Sequence, residues 1–301
     1  MTIKWKKNML TALHIIGRVI IVFFVLAPVY WVINSSFIKE AALANVPPPA
    51  FPARAVRTFS HYRFIIFGEA SAEETVMLQA MYTASGVFIL PAIKNSIIIA
   101  LLTVTLSLLL AVPAGYTFAR RSFRGKDGIY FAFLAVRLLP SLSIAIPVFL
   151  LFKKFGLLDS IEGLVIINTA TSTPLAIWIL RPYFEAIPKD FEEAALIDGC
   201  GYFQLMTRVV LPLARPGLIA AAIFVFMMAY SEFIFALTLT STLRARPVSV
   251  VVATLAQGLS VSKGMLSAGI VLSFLPPVVL GIIFRRYIVG GLTGKVFIDL
   301  K

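Results

Sequence analysis

Few side chains in this sequence are equipped for covalent or metal chemistry. One cysteine, Cys200, excludes an internal disulfide and a thiolate zinc site within the chain, and with only His14 and His61 a histidine-rich metal site is not expected. The polar groups that do stand out lie inside apolar stretches. Arg137 and Glu232 each interrupt a long hydrophobic run, Ser231 adjoins Glu232, and Asn168, Thr169, Thr171, Ser172 and Thr173 form a polar belt before Pro174. Ionisable residues in such surroundings are costly and default to a functional reading. Arg137 can instead snorkel towards a polar boundary. Glu232 is expected to line a hydrated cavity or to bond backbone at a helix break. The belt suits a polyhydroxylated solute, whereas a charged solute would want compensating charge; interhelical hydrogen bonding is its structural alternative.

A second constellation lies between two apolar runs, at 188–199. Pro188 starts it, Asp190 is placed to cap a helix with Glu193 three residues on, and Gly199 is placed to end it in the left-handed conformation. The spacing predicts a helix of about eight residues, roughly 12 Å long. It is too polar to cross a bilayer and too short to be stable alone. Ala194 and Ala195 leave room for another surface to approach closely, which suits docking; a connector packed under the bundle is the alternative. A second amphipathic stretch, Tyr202–Val210, and Leu211-Pro212 follow.

The elements that must position these groups are membrane spans. Hydrophobic residues make up 59% of the 301 and charged residues 14%, with mean hydropathy +0.94, which excludes a disordered chain and argues against a soluble enzyme. Val19–Ile38, Asn95–Ala119, Gly163–Leu180 and Gly264–Phe284 carry no charge, while Gly128–Phe152 and Pro216–Leu243 carry one each. About 20 apolar residues cross a bilayer, so six transmembrane helices are expected in an all-α, polytopic fold. The first, about 12–38, follows Lys4, Lys6 and Lys7 but lacks a small-residue cleavage site and reads as a retained anchor. A core of about 90–290 follows, with the polar loop at 185–216, and the whole of 1–301 reads as one transmembrane domain.

The net charge of +13 would suggest nucleic acid in a soluble protein. Here it reads as topology, with no nucleic-acid partner. If both termini are cytoplasmic, 15 basic residues fall inside, 10 outside and two within spans. The turn Arg120–Lys126 is the clearest inside marker. Pro28, Pro113, Pro140, Pro147, Pro174, Pro276 and Pro277 fall within the spans, a density that favours a transporter or channel over an inert anchor. In the long outer loop, Ser71 and Glu74 form a capping-box pattern before an amphipathic stretch at 76–84.

Glu193-Ala194-Ala195, Gly199, Val209 and Leu211-Pro212 resemble the EAA signature of ABC-importer permeases at every position, with valine in the usual isoleucine place. Asn95-Ser96, Gly156–Asp159, Ile177–Leu180, Ser231–Phe233 and Arg286–Val289 with Gly291–Thr293 resemble the maltose-G-type carbohydrate-uptake permeases, and the likeness runs from about 10 to 295. Ala229–Glu232 departs from the family's more usual Trp-Asn-Glu, and the C-tail lacks the common ending.

The resemblance implies a subunit of an ATP-driven importer in the bacterial or archaeal cytoplasmic membrane. It implies, as partners, a second homologous permease, two ATP-binding subunits and a periplasmic or lipid-anchored solute-binding protein, besides membrane lipid. No cofactor is expected in this chain: Gly294-Lys295 has Val289 where a phosphate loop's first glycine should stand, so ATP and Mg would be bound by the partners. By resemblance, Asp190, Glu193, Ala194, Ala195, Asp198, Gly199, Leu211 and Pro212 couple to the ATPase, and the outer 241–264 loop reaches towards the binding protein. A secondary transporter driven by an ion gradient is the competing reading; it would want an inverted repeat and more intramembrane acids. A scaffold protein is a third.

Overall fold

The computed structural model describes residues 2–68, 88–257 and 262–287. The expected capped stretch at 71–84 and the C-terminal residues from 288 lie outside the described residues. The described residues contain no β-strand, only an isolated antiparallel bridge between Ile38 and Arg57. The chain divides into two compact units, 1–90 with 252–273 and 91–251 with 274–301.

The first unit opens on α1 (Thr2–Ser35), whose Leu13–Ser35 stretch is long and apolar enough to cross a membrane; its most apolar part is exposed, while Tyr30 and Asn34 near its end donate to the Ala50 carbonyl. An apolar helix without a polar face is one that water cannot surround. A connecting segment carries the short α2 (Glu40–Leu43) and α3 (Ser60–Phe67), which Gly68 ends at φ +72°. Buried His61 holds this segment through Nε2 and the Ile38 carbonyl, 3.0 Å apart. The Glu40 carboxylate accepts from Ser262 Oγ (2.8 Å) and from the amides of Lys263 (2.9 Å) and Gly264 (3.0 Å). It thereby satisfies otherwise orphaned donors at the start of the helix beginning at Lys263.

The second unit is built on α4 (Ile89–Arg120), α5 (Lys126–Ala135, tightening to a 3₁₀ turn through Leu138), α6 (Ser141–Lys154) and α7 (Ile161–Glu185). The short α8 (Lys189–Ile197) follows. Next come α9 (Tyr202–Leu205, running on through a π turn to Leu213), α10 (Arg215–Tyr230) and α11 (Ile234–Leu239). α12 (Val248–Ala256) and α13 (Lys263–Ile283) complete the order across the two units. α7 and α10 lie close together: at Gly217 any Cβ would overlap the Tyr183 ring. Ser160 caps α7, its Oγ accepting from the Gly163 amide at 3.1 Å.

Six expected spans correspond to four continuous helices and two bent pairs long and apolar enough to cross. Two boundaries need correction. Gly128–Phe152 is not one rod: α5 and α6 meet at 94° around Leu139-Pro140, because proline supplies no amide to carry the helix on. Pro216–Leu243 is also interrupted. α10 bends by 79° from the α9 segment and stops at Tyr230; α11 resumes after Ser231–Phe233. Pro28, Pro113, Pro147, Pro174, Pro276 and Pro277 sit inside continuous helices, so Pro140 alone of the seven marks a break.

Candidate functional site

The predicted short helix is α8. Its end is as expected: Gly199 adopts φ +83°, the Cys200 amide reaches Ala195 O (3.0 Å), and the Gly199 amide reaches Leu196 O (3.1 Å). These two bonds form a Schellman motif, which absorbs carbonyls the helix end would leave bare. Its start differs. Pro188 occupies the cap position and no side chain caps the helix, so the expected Asp190–Glu193 capping pair is absent. Asp190 instead lies exposed in the first turn, where an acid is favoured by the helix dipole.

The faces of α8 also divide differently from expectation. Glu193 and Ala194 are exposed, as docking residues must be, but Ala195 is buried. It packs inward with Phe184, Leu205 and Val210 rather than offering itself to a partner. Asp198 is exposed, Leu211 is half-buried and Pro212 is exposed on the turn leading into α10. Phe191, Leu196, Ile197, Tyr202 and Phe203 are exposed around the same loop, an apolar patch of the kind that marks a protein interaction site.

Sequence reasoning missed Glu192. It is 9% exposed, and both its oxygens are occupied. Arg120 donates to Oε1 through Nε (2.8 Å) and approaches the same oxygen through Nη2 (2.7 Å), while Tyr116 OH donates to Oε2 (2.7 Å). Arg120 Nη2 also donates to the Ile187 carbonyl at 2.6 Å. The available signal was periodic: Glu192 stands three residues before Ala195 and shares its face.

The two charges placed within spans both lie at helix breaks. Glu232 accepts from the amides of Phe235 (2.8 Å) and Ala236 (2.9 Å), so its carboxylate caps α11. Of the two roles expected for it, bonding backbone at a break is the one observed. Its own carbonyl accepts from Ser249 Oγ at 2.7 Å. Ser231 Oγ bonds back to Met227 O (2.7 Å). Arg137 lies exposed in the 3₁₀ turn beside the α5–α6 bend, its Nη2 3.3 Å from Met228 Sδ. The expected span Gly128–Phe152 would have put it inside an unbroken helix.

The polar belt is mostly turned into the bundle. Asn168, Thr169 and Ser172 are buried, Thr171 and Thr173 half-buried. Asn168 Nδ2 donates to Leu164 O, Thr171 Oγ1 to Ile167 O and Thr173 Oγ1 to Thr169 O, so these three bond their own helix instead of a neighbour. Thr169 Oγ1 is buried without a hydrogen-bond partner.

A further polar cluster, which motif reading touched only in part, pins the loop after α11. Asn95 Nδ2 lies 3.0, 3.4 and 3.1 Å from the carbonyls of Leu243, Arg244 and Arg246. Ser96 Oγ accepts from the Val248 amide at 2.9 Å. Asp159, itself at φ +52°, accepts from the amides of Ser241 and Thr242 (3.0 Å each) and from Thr242 Oγ1. Burial pushes the Asp159 carboxyl up, but the Thr242 and Ser241 hydrogen bonds and the Arg246 charge outweigh it and hold the group below the usual aspartate value.

This arrangement can transmit force and hold loops; among the described residues no cluster of His, Cys, Asp or Glu could hold a metal ion. Residues 111–294 match the family described as the inner membrane component of binding-protein-dependent transport systems. The chain is 32% identical over 283 residues to the trehalose/maltose transport system permease protein MalG of Thermococcus litoralis, covering 93% of this chain and 94% of that protein. It is 33% identical over 281 residues to the trehalose transport system permease protein SugB of Mycobacterium tuberculosis, covering 91% and 93%. Its fold matches a chain in the crystal structure of a bacterial ABC transporter involved in import of the acidic polysaccharide alginate. That match has TM-score 0.74 and 21% identity over 94% of this chain and 97% of that one.

Proposed function

The chain belongs to the family of inner-membrane components of binding-protein-dependent transport systems, and from that premise we propose that it carries a sugar, polyol or related polar solute. Family membership makes it a multi-pass permease subunit of an ATP-driven importer, which displaces the ion-gradient reading. ATP hydrolysis belongs to separate partner subunits. The named relatives are permease proteins of trehalose/maltose and trehalose transport systems, and the hydroxyls and amides inside the spans agree with a polyhydroxylated cargo.

The proposed mechanism is alternating access shared with a second, homologous permease. Two ATP-binding subunits, which hold ATP and Mg, face α8; a solute-binding protein delivers cargo at the opposite face, towards the loop that follows α11. Both termini are then cytoplasmic, as the distribution of basic residues favours. Glu193 and Ala194 make the outward contact, with Asp190 and Asp198 beside them. Gly199 sets the turn, Ala195 seats the helix, and Leu211-Pro212 joins the loop to α10. Asn168, Thr169, Thr171, Ser172, Thr173, Ser231, Glu232 and Arg137 flank the path as its structural lining, and contact with solute is confined to those not already committed to backbone.

The observation that carries this reading is a short helix, capped by a Schellman turn, that leaves Glu193 exposed within an apolar patch. Glu193→Lys is expected to abolish co-purification with the ATP-binding subunits and solute uptake while leaving membrane insertion intact. Wild-type capture and uptake in that variant would reject the docking role. Calorimetry of the cognate binding protein against trehalose, maltose, glucose, glycerol and glycerol phosphate would identify the solute; binding of no sugar, polyol or polyol phosphate would reject the class.

A further inference from the structure

α8 carries two adjacent acids that point in different directions. Glu193 is exposed, and Glu192, about 100° around the helix, is buried. Glu192 does not merely rest against the bundle. Tyr116 and Arg120 are four residues apart on one face of α4, and together they take both oxygens of its carboxylate. The Arg120 and Glu192 side chains are only 10% and 11% exposed, so the pair works where water screens it little. The second Arg120 bond, to Ile187 O, fixes the backbone immediately before α8.

The chain enters α8 from α7 and leaves it towards α10; α4 is more than sixty residues away in sequence. Covalent continuity therefore moves α7 and α10 with α8 but not α4. Apolar packing alone lets surfaces slide, whereas a charge-assisted contact that engages both carboxylate oxygens, Oε1 from Arg120 and Oε2 from Tyr116, fixes both distance and orientation.

We propose that Tyr116, Arg120 and Glu192 are positioning residues that tie α4 to α8, so that a push on the exposed face of α8 moves α4 with it. Glu193 receives the partner, and Glu192 hands the displacement to α4 through a contact more directional than the Arg121–Tyr202 hydrogen bond (3.3 Å) and the apolar packing that also join the loop to it. This rests on the docking role of α8 proposed above.

The test uses the complete transporter, with its partner permease, ATP-binding subunits and binding protein, in proteoliposomes. Solute uptake and ATP turnover are measured on the same preparation, and the readout is solute moved per ATP. Glu192→Gln keeps shape and a hydrogen-bond acceptor but removes the charge. It should still co-purify with the ATP-binding subunits and lower solute per ATP by about fivefold or more. Tyr116→Phe, which leaves the ion pair in place, should lower the same ratio by about twofold, and it serves as the deciding variant if Glu192→Gln fails to insert. An unchanged ratio overturns the proposal. So does a proportional fall in uptake and ATP turnover, which is what loss of correctly folded transporter produces. Loss of co-purification in Glu192→Gln also overturns it, by making Glu192 a docking residue. Failure of the docking role itself is read separately, from Glu193→Lys.

Discussion

α4 is held at its two ends by different chemistry. At its C-terminal end Arg120 and Tyr116 grip a carboxylate, side chain to side chain. About 37 Å away by helical rise, Asn95 and Ser96 grip the loop before α12 through backbone carbonyls and an amide, and Asp159 holds the same loop by the amides of Ser241 and Thr242. A side chain that bonds backbone fixes the path of a loop without dictating its residues, so Arg244 can stay exposed and free to differ. An ion pair specifies both partners and fixes one helix against another. The first design suits a surface that must keep its shape while its contacts are tuned, the second a joint that must not slip.

The comparison breaks most visibly at the ionic end. Arg120→Ala leaves Glu192 buried and charged without its cation, which should cost about 3–5 kcal/mol. Thermal unfolding of the purified subunit should fall accordingly, with hydrogen exchange rising across α8. At the other end, Asn95→Ala removes a donor shared among three carbonyls, and the expected loss is about 1–3 kcal/mol. Here exchange should rise at the loop 240–248 and stay unchanged in α8. If Arg120→Ala and Asn95→Ala loosen the same amides, the two ends are not independent and the contrast fails.

Much of this was legible in the sequence, and the exceptions share a cause. The spans follow from apolar length, and the end of α8 follows from Gly199, because both are local. Which acid of the 192–193 pair turns inward is set by Arg120, more than seventy residues earlier, which the sequence marks only as a basic residue at a membrane boundary. Asn95-Ser96 and Asp159 carried family resemblance but no visible role, since their partners lie at 239–248. Apolar length alone invites the assumption that the runs holding Arg137 and Glu232 are continuous helices. Pro140 and the Ser231–Phe233 break remove that assumption, and the carboxylate then serves as a cap.

Smaller effects sharpen the contrast further. Gly199→Ala forces a Cβ into the left-handed region at φ +83°, with no neighbouring atom in the way. The cost is conformational, about 1 kcal/mol. It should lower the unfolding temperature slightly and loosen only the Schellman turn, seen as faster exchange at the Cys200 amide. A drop as large as that of Arg120→Ala would mean that the turn, rather than the ion pair, anchors α8.

The smallest expected effect separates the ends by pH. Asp159 is held below the usual aspartate value by the Thr242 and Ser241 bonds and by Arg246, against the upward push of burial. A carboxyl with a depressed folded-state value stabilises fully above its unfolded value, about 3.9, and loses that contribution as pH falls through the lower folded value. The stability difference between the wild type and Asp159→Asn should therefore be constant from about pH 8 to 5 and shrink only below about pH 4. Asn tolerates the left-handed backbone at this position, so the substitution reports the charge rather than strain. Unfolding midpoints of the two proteins across that range measure the difference. A gap that closes already near neutral pH would mean that Asp159 is not the charged anchor of the loop, and would leave Asn95 and Ser96 to hold that end of α4 alone.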